Sequence, residues 1–124
     1  MYYKNNEGYE DIDERTFNFA VRVIKMTMKL PNNQPSWVIG KQVIRSSTSV
    51  NSNIVHARVG VSRKDFINYY KIALKEAEET KRWLEMIVAA GLMPLGRMEL
   101  LIQESQEIVK IIVVIIKNAI KKEN

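Results

Sequence analysis

The stretch from Trp37 to Lys64 holds Lys41, Arg45, Arg58, Arg63 and Lys64 and not one carboxylate. The rest of the chain is nearly charge-balanced, so the whole formal excess of +5 falls here. Cations gathered without counterions can neutralise the phosphates of RNA or DNA without reading its sequence. At helical spacing, Lys41 and Arg45 share a face with Thr48, Ser52 and His56. The same strip also suits an ordinary solvated face, or the docking of an acidic protein partner. Trp37 and Trp83 offer rings on which bases could stack. The spacing of Trp83 from Tyr69, Ala73 and Ile87 assigns it to the core instead.

Glu76 is the other residue with chemical potential. It falls on the line Tyr69, Ala73, Thr80, Trp83, Ile87, at the edge of an apolar arc. A carboxylate there is partly desolvated and needs a partner. Gln42, Ser46, Ser49 and Asn53 flank the stripe of the preceding helix and can donate to it. We read Glu76, Asn53 and Gln42 as an interhelical clasp, because a lone glutamate without a second group has little catalytic use.

No other motif points to catalysis. The sequence has no glycine-rich phosphate loop, no glycine-flanked nucleophilic serine and no histidine pair at metal spacing. His56 is the only histidine and there is no cysteine, a poor supply for a zinc or iron site. The expectation is a non-enzyme with no metal and no cofactor.

These residues need a scaffold. At 124 residues, 46% apolar and 27% charged, the composition is that of one globular domain. The N-terminus lacks the basic-then-apolar pattern of a signal peptide. The strongest apolar run, Ile108 to Ile120, is interrupted by Lys110 and Lys117 and falls short of the roughly 20 residues a membrane span requires. Absence of cysteine fits a reducing compartment. The expected location is cytoplasmic.

Four helices are predicted. Residues 1–14 read as a polar, acidic arm, and 15–122 as the bundle domain. In the first helix Phe17, Ala20, Val21, Ile24 and Met28 recur at helical spacing, ending before Pro31. Ser36 is placed to cap the second, where Ile39, Val43, Ser47, Val50, Ile54, Ala57 and Val61 form one stripe through a serine-rich run. The eight residues Ser46 to Asn53 each forgo about 0.5 kcal/mol of helix propensity relative to alanine, roughly 4 kcal/mol in all. The unbroken stripe still predicts a helix, its small residues allowing close approach of a partner. Ser62 to Asp65 resembles a capping box that opens the third helix. Its apolar arc runs from Phe66 to Val88, and Gly91 ends it.

The fourth helix, from about Arg97 to Lys121, carries a heptad-like seam of Leu101, Ser105, Ile108, Ile112, Ile115 and Ala119. It is apolar around most of its circumference. A single core cannot cover that much, so Val109, Ile112, Ile116 and Ile120 are expected at a subunit interface. Short connections make the whole an all-α, antiparallel up-down four-helix bundle.

Four stretches carry a family resemblance: Val21 to Lys25, Gln42 to Asn53, Arg63 to Ile67 and Lys75 to Glu85. Together they resemble, in order over about residues 15–120, the four-helix-bundle proteins encoded by intervening sequences within bacterial 23S ribosomal RNA genes. The accessory proteins of diversity-generating retroelements are similar. The resemblance implies an up-down bundle that assembles as a barrel-shaped homopentamer. It also implies nucleic acid and a reverse transcriptase as partners of a basic surface in the retroelement relatives, and no family catalytic residues. The family's arginine before its small-residue run falls on Arg45, its asparagine on Asn53, and its glutamate-to-tryptophan signature on Glu76, Glu79 and Trp83. Many members carry an acidic or small residue where this chain has His56.

Overall fold

The computed structural model describes residues 12–59 and 62–123. The expected arm lies outside the described residues as far as position 11, and so does Val61. Four helices follow: α1 (Ile12–Thr27), α2 (Gln34–Ala57), α3 (Arg63–Ala89) and α4 (Leu95–Glu123). α1 begins three residues before the expected start. Asp13 and Glu14 therefore sit in its first turn, where negative charge complements the helix dipole.

Each helix packs on its neighbours in sequence, and α1 meets α4 to close the ring. Contacts across α2 and α3 run in opposite order: Arg45 meets Glu79, Ser49 meets Glu76, and His56 stacks on Tyr69 with ring centres 5.7 Å apart. Arg15 against Glu104, and Arg63 against the Lys122 carbonyl, give the same sense for α1–α4 and α3–α4. The result is the expected four-helix bundle. No helix among the described residues is long and apolar enough to cross a membrane.

The face assigned to α1 requires correction. Phe17 and Met28 are 57% and 72% exposed, and Val21 and Ile24 only half-buried. The inward residues are Ile12, Thr16, Phe19, Ala20, Val23 and Met26. α1 carries two apolar stripes, and the one containing a threonine faces the core. Thr16 can be buried there because its hydroxyl donates to the Ile12 carbonyl at 2.8 Å.

α2 runs unbroken through the serine-rich segment, and Val43, Ser47, Val50, Ile54 and Ala57 are buried as the stripe predicts. Its N-cap is Asn33 rather than Ser36: the Asn33 side chain accepts from the Ser36 amide at 2.9 Å, with Pro35 in the first turn. Ser46 is fully buried and accepts a 2.7 Å hydrogen bond from Thr80 of α3. A larger side chain at position 46 would push the two helices apart. Ser62 caps α3 by accepting from the Asp65 amide. At its other end Gly91 takes φ +77°, and the Leu92 and Gly91 amides reach back to the Ile87 and Val88 carbonyls at 3.0 Å. This paired pattern is the Schellman motif, and a positive φ favours glycine.

On α4 every seam residue from Leu101 to Ala119 is buried. The expected subunit interface is corrected at two positions. Ile112 has no exposed surface and Ile116 is nearly buried, both within the chain's own core. Val109 packs partly against that core, which leaves Ile120 as the exposed member of the set.

Candidate anion-binding site

The acid-free segment finds its carboxylates on other helices. Arg45 of α2 reaches across to α3, where Nη2 donates to Glu79 Oε1 and Nη1 lies 3.4 Å from Glu76 Oε2. Gln42 Oε1 accepts from Arg45 Nε at 3.4 Å, and Ser49 Oγ donates to Glu76 Oε2 at 3.3 Å. Asn53 holds Ser49 in turn, donating to its carbonyl at 2.8 Å. The side chain of Glu76 keeps only 16% of its exposure. The clasp at Glu76 therefore exists with Arg45 as its cation, Gln42 and Asn53 standing one contact further out. Trp83 packs partly against the core and points its indole N–H at Glu79, 3.4 Å away.

Arg58 and Arg63 are engaged as well. Arg58 Nη1 donates to Asp13 Oδ2, tying the end of α2 to the start of α1, and Arg63 Nη1 donates to the Lys122 carbonyl near the end of α4. Of the five cations expected to meet nucleic acid, Lys41 and Lys64 are exposed and form no ion pair among the described residues. Three arginines serve the bundle's internal architecture. A pairing across two helices cannot be seen in a charge tally taken along one.

A different set of cations converges where the end of α1 meets the start of α4. Arg22 and Lys25 of α1, Lys29 in the turn just beyond it and Arg97 of α4 line one open pocket of about 310 Å³. No carboxylate lines it, and none of the four forms an ion pair among the described residues. Positions 22 and 25, three apart, share one face of α1, and Lys29 follows in the turn after the helix ends. Gly91, Pro94 and the short α3–α4 connection set α4 so that Arg97, in its first turns, faces those cations. Four like charges around a common opening repel one another, and an anion placed between them relieves the repulsion.

Segment averaging concealed this site. Residues 1–36 balance only because their acids cluster before Arg15 and most of their cations after it; no carboxylate occurs anywhere from Arg15 to Lys64. That longer acid-free run was the available signal. Among the described residues no group of three histidine, aspartate, glutamate or cysteine side chains could hold a metal ion.

The chain is similar to a solved protein of unknown function from the S23 ribosomal protein family of Bacteroides thetaiotaomicron VPI-5482. Identity is 40%, over 86% of this chain and 98% of that one, with a TM-score of 0.80. Among curated proteins none matches. The family model described as 23S rRNA-intervening sequence protein matches residues 10–114. That span takes in α1, α2, α3, the Arg45–Glu76 clasp and most of α4, and the chain belongs to the 23S rRNA-intervening sequence protein family.

Proposed function

We propose that the protein is a non-enzymatic helical module that binds nucleic acid through its phosphate backbone, at the cations Arg22, Lys25, Lys29 and Arg97. The observation that carries this reading is their convergence on one pocket without a carboxylate. Lys41 and Lys64 add to the positive field, and the family's association with ribosomal RNA genes is consistent with such a ligand. The test is retention of RNA and DNA at graded salt. Counterion release predicts affinity falling steeply as salt rises. Reversing Arg22 and Lys25 to glutamate should reduce affinity more than tenfold at low salt while the far-ultraviolet circular dichroism stays unchanged. Absence of retention by the wild-type protein at low salt refutes the reading.

A second proposal concerns assembly. Phe17 and, just past the end of α1, Met28 are exposed, and the half-buried Val21 and Ile24 link them into an outward apolar strip. Contiguous exposed apolar surface marks interaction sites. We assign this strip to contact between copies of the chain, in place of the Ile112 and Ile116 positions that the core occupies. Replacing Phe17 and Met28 together with glutamate should lower the mass seen in light scattering; an unchanged mass places the contact elsewhere.

A further inference from the structure

The cationic pocket has a floor unlike its rim. Met26, Met93 and Leu101 are nearly buried beneath it, and Leu100, 71% exposed, stands at its edge. A phosphate gains nothing from four apolar side chains. A flat, weakly polar group gains from leaving water there, and thioether sulfur makes favourable contacts with aromatic rings.

We infer that this floor receives an unstacked base of single-stranded nucleic acid, while the four cations hold the phosphates on either side of it. The inference rests on the backbone-binding reading above and narrows its ligand. A duplex keeps its bases inside and presents phosphate and sugar, so it can use the rim but not the floor. A single strand can splay a base out and seat it against protein. The volume of about 310 Å³ lies at the lower end of sites built for small organic groups, which suits one base better than an extended ligand. Cations from α1, from the turn after it and from α4 surround the floor, so phosphates on either side of a seated base can each meet one. No aromatic side chain lines the pocket. The base therefore packs against methionine and leucine, a surface that accepts any base, and recognition at this site is indifferent to sequence.

Fluorescence anisotropy with a labelled 12-nucleotide RNA tests the idea. Three probes are compared at one low salt concentration: the intact strand, its duplex, and the same strand with abasic sites, which retains every phosphate. The intact strand should bind at least tenfold tighter than the other two. Leu100→Asn, at an exposed position that does not threaten the fold, should weaken the intact strand about threefold or more and leave the duplex unchanged. Equal affinity for intact and abasic strands overturns the base inference while backbone binding stands. Failure of all three probes to bind overturns both. A mononucleotide that displaces the strand at equal concentration would assign the pocket to free nucleotide and overturn the strand reading. Displacement by poly-glutamate as effective as by unlabelled RNA would show that charge alone is read, and overturns it too.

Discussion

The Arg45 guanidinium closes on the Glu79 carboxylate, 34 positions later in the chain, and spans on to Glu76 one turn away. A residue that the sequence offers as one of five candidate phosphate contacts thus fastens α2 to α3. Arg45→Ala should lower stability by about 1 kcal/mol, the upper range for a half-exposed pair, and should change RNA retention less than twofold. Thermal denaturation and a filter-binding assay on the same sample check both halves. A loss of binding comparable to that from charge reversal at Arg22 and Lys25 would return the nucleic acid contact to α2.

The serine-rich run divides into residues that must be small and residues that need not be. Ser46 is buried against Thr80, so Ser46→Leu should overpack the α2–α3 interface and cost about 1–3 kcal/mol. Ser52 is exposed, and its hydroxyl reaches only the Ser49 carbonyl of its own helix. Ser52→Ala should therefore stabilise by about 0.5 kcal/mol through helix propensity. Urea denaturation of the two variants should move the midpoint in opposite directions.

Two glycines differ in the same way. Gly40 lies within α2, and a Cβ there would meet Leu30 and Thr27 side chains at 3.9 Å, an ordinary contact. Gly40→Ala should stabilise the protein by about 0.5–1 kcal/mol. Nothing stands within 4 Å of a Cβ at Gly91, yet its φ of +77° makes any side chain strained. Gly91→Ala should cost about 1–2 kcal/mol. Calorimetric melting temperatures rising for the first and falling for the second would confirm the assignment.

Ile112 separates core from interface. With no exposed surface in the protomer, Ile112→Asp should bury an unpaired charge and unfold the chain, not release intact protomers. Circular dichroism should show lost helix. A folded monomer of lower mass would restore the α4 interface that periodicity suggested.

Much of the scaffold was legible because α2 and α3 each show a single inward stripe and α4 a continuous heptad-like seam. In α2 the steps Val43, Ser47, Val50, Ile54, Ala57 survive the poor propensity of the serines, and packing overrides local preference. α1 failed the same logic because apolar residues occupy two of its faces. Only burial of Thr16, made possible by its own backbone hydrogen bond, distinguishes the inner one. Glu76 was recognisable as a clasp since its position on the helix surface is a local property. Its cation was not, because that Arg45 closes on Glu76 and Glu79 is a fact about two helices at once. The same blindness hid the pocket, whose four cations come from α1, the turn after it and α4, with Arg22 and Arg97 standing 75 positions apart.

The fastenings on α1 are unevenly distributed. Asp13 takes Arg58 and the Asn51 amide, Thr16 takes Asn51 as well, and Arg15 grips Glu104 with two bonds of 2.7 and 2.9 Å. All lie within the first turn and a half. The end of α1 from Arg22 onward, with the turn after it, borders the open pocket with Arg22, Lys25 and Lys29, none of them in an ion pair among the described residues. Local opening of a helix starts where the fewest contacts hold it. Amide protons of α1 should therefore exchange with solvent faster towards Thr27 than towards Thr16, and an anion in the pocket should slow that exchange at one end only. Binding would then be recorded in the breathing of a single helix, without any change in the fold around it.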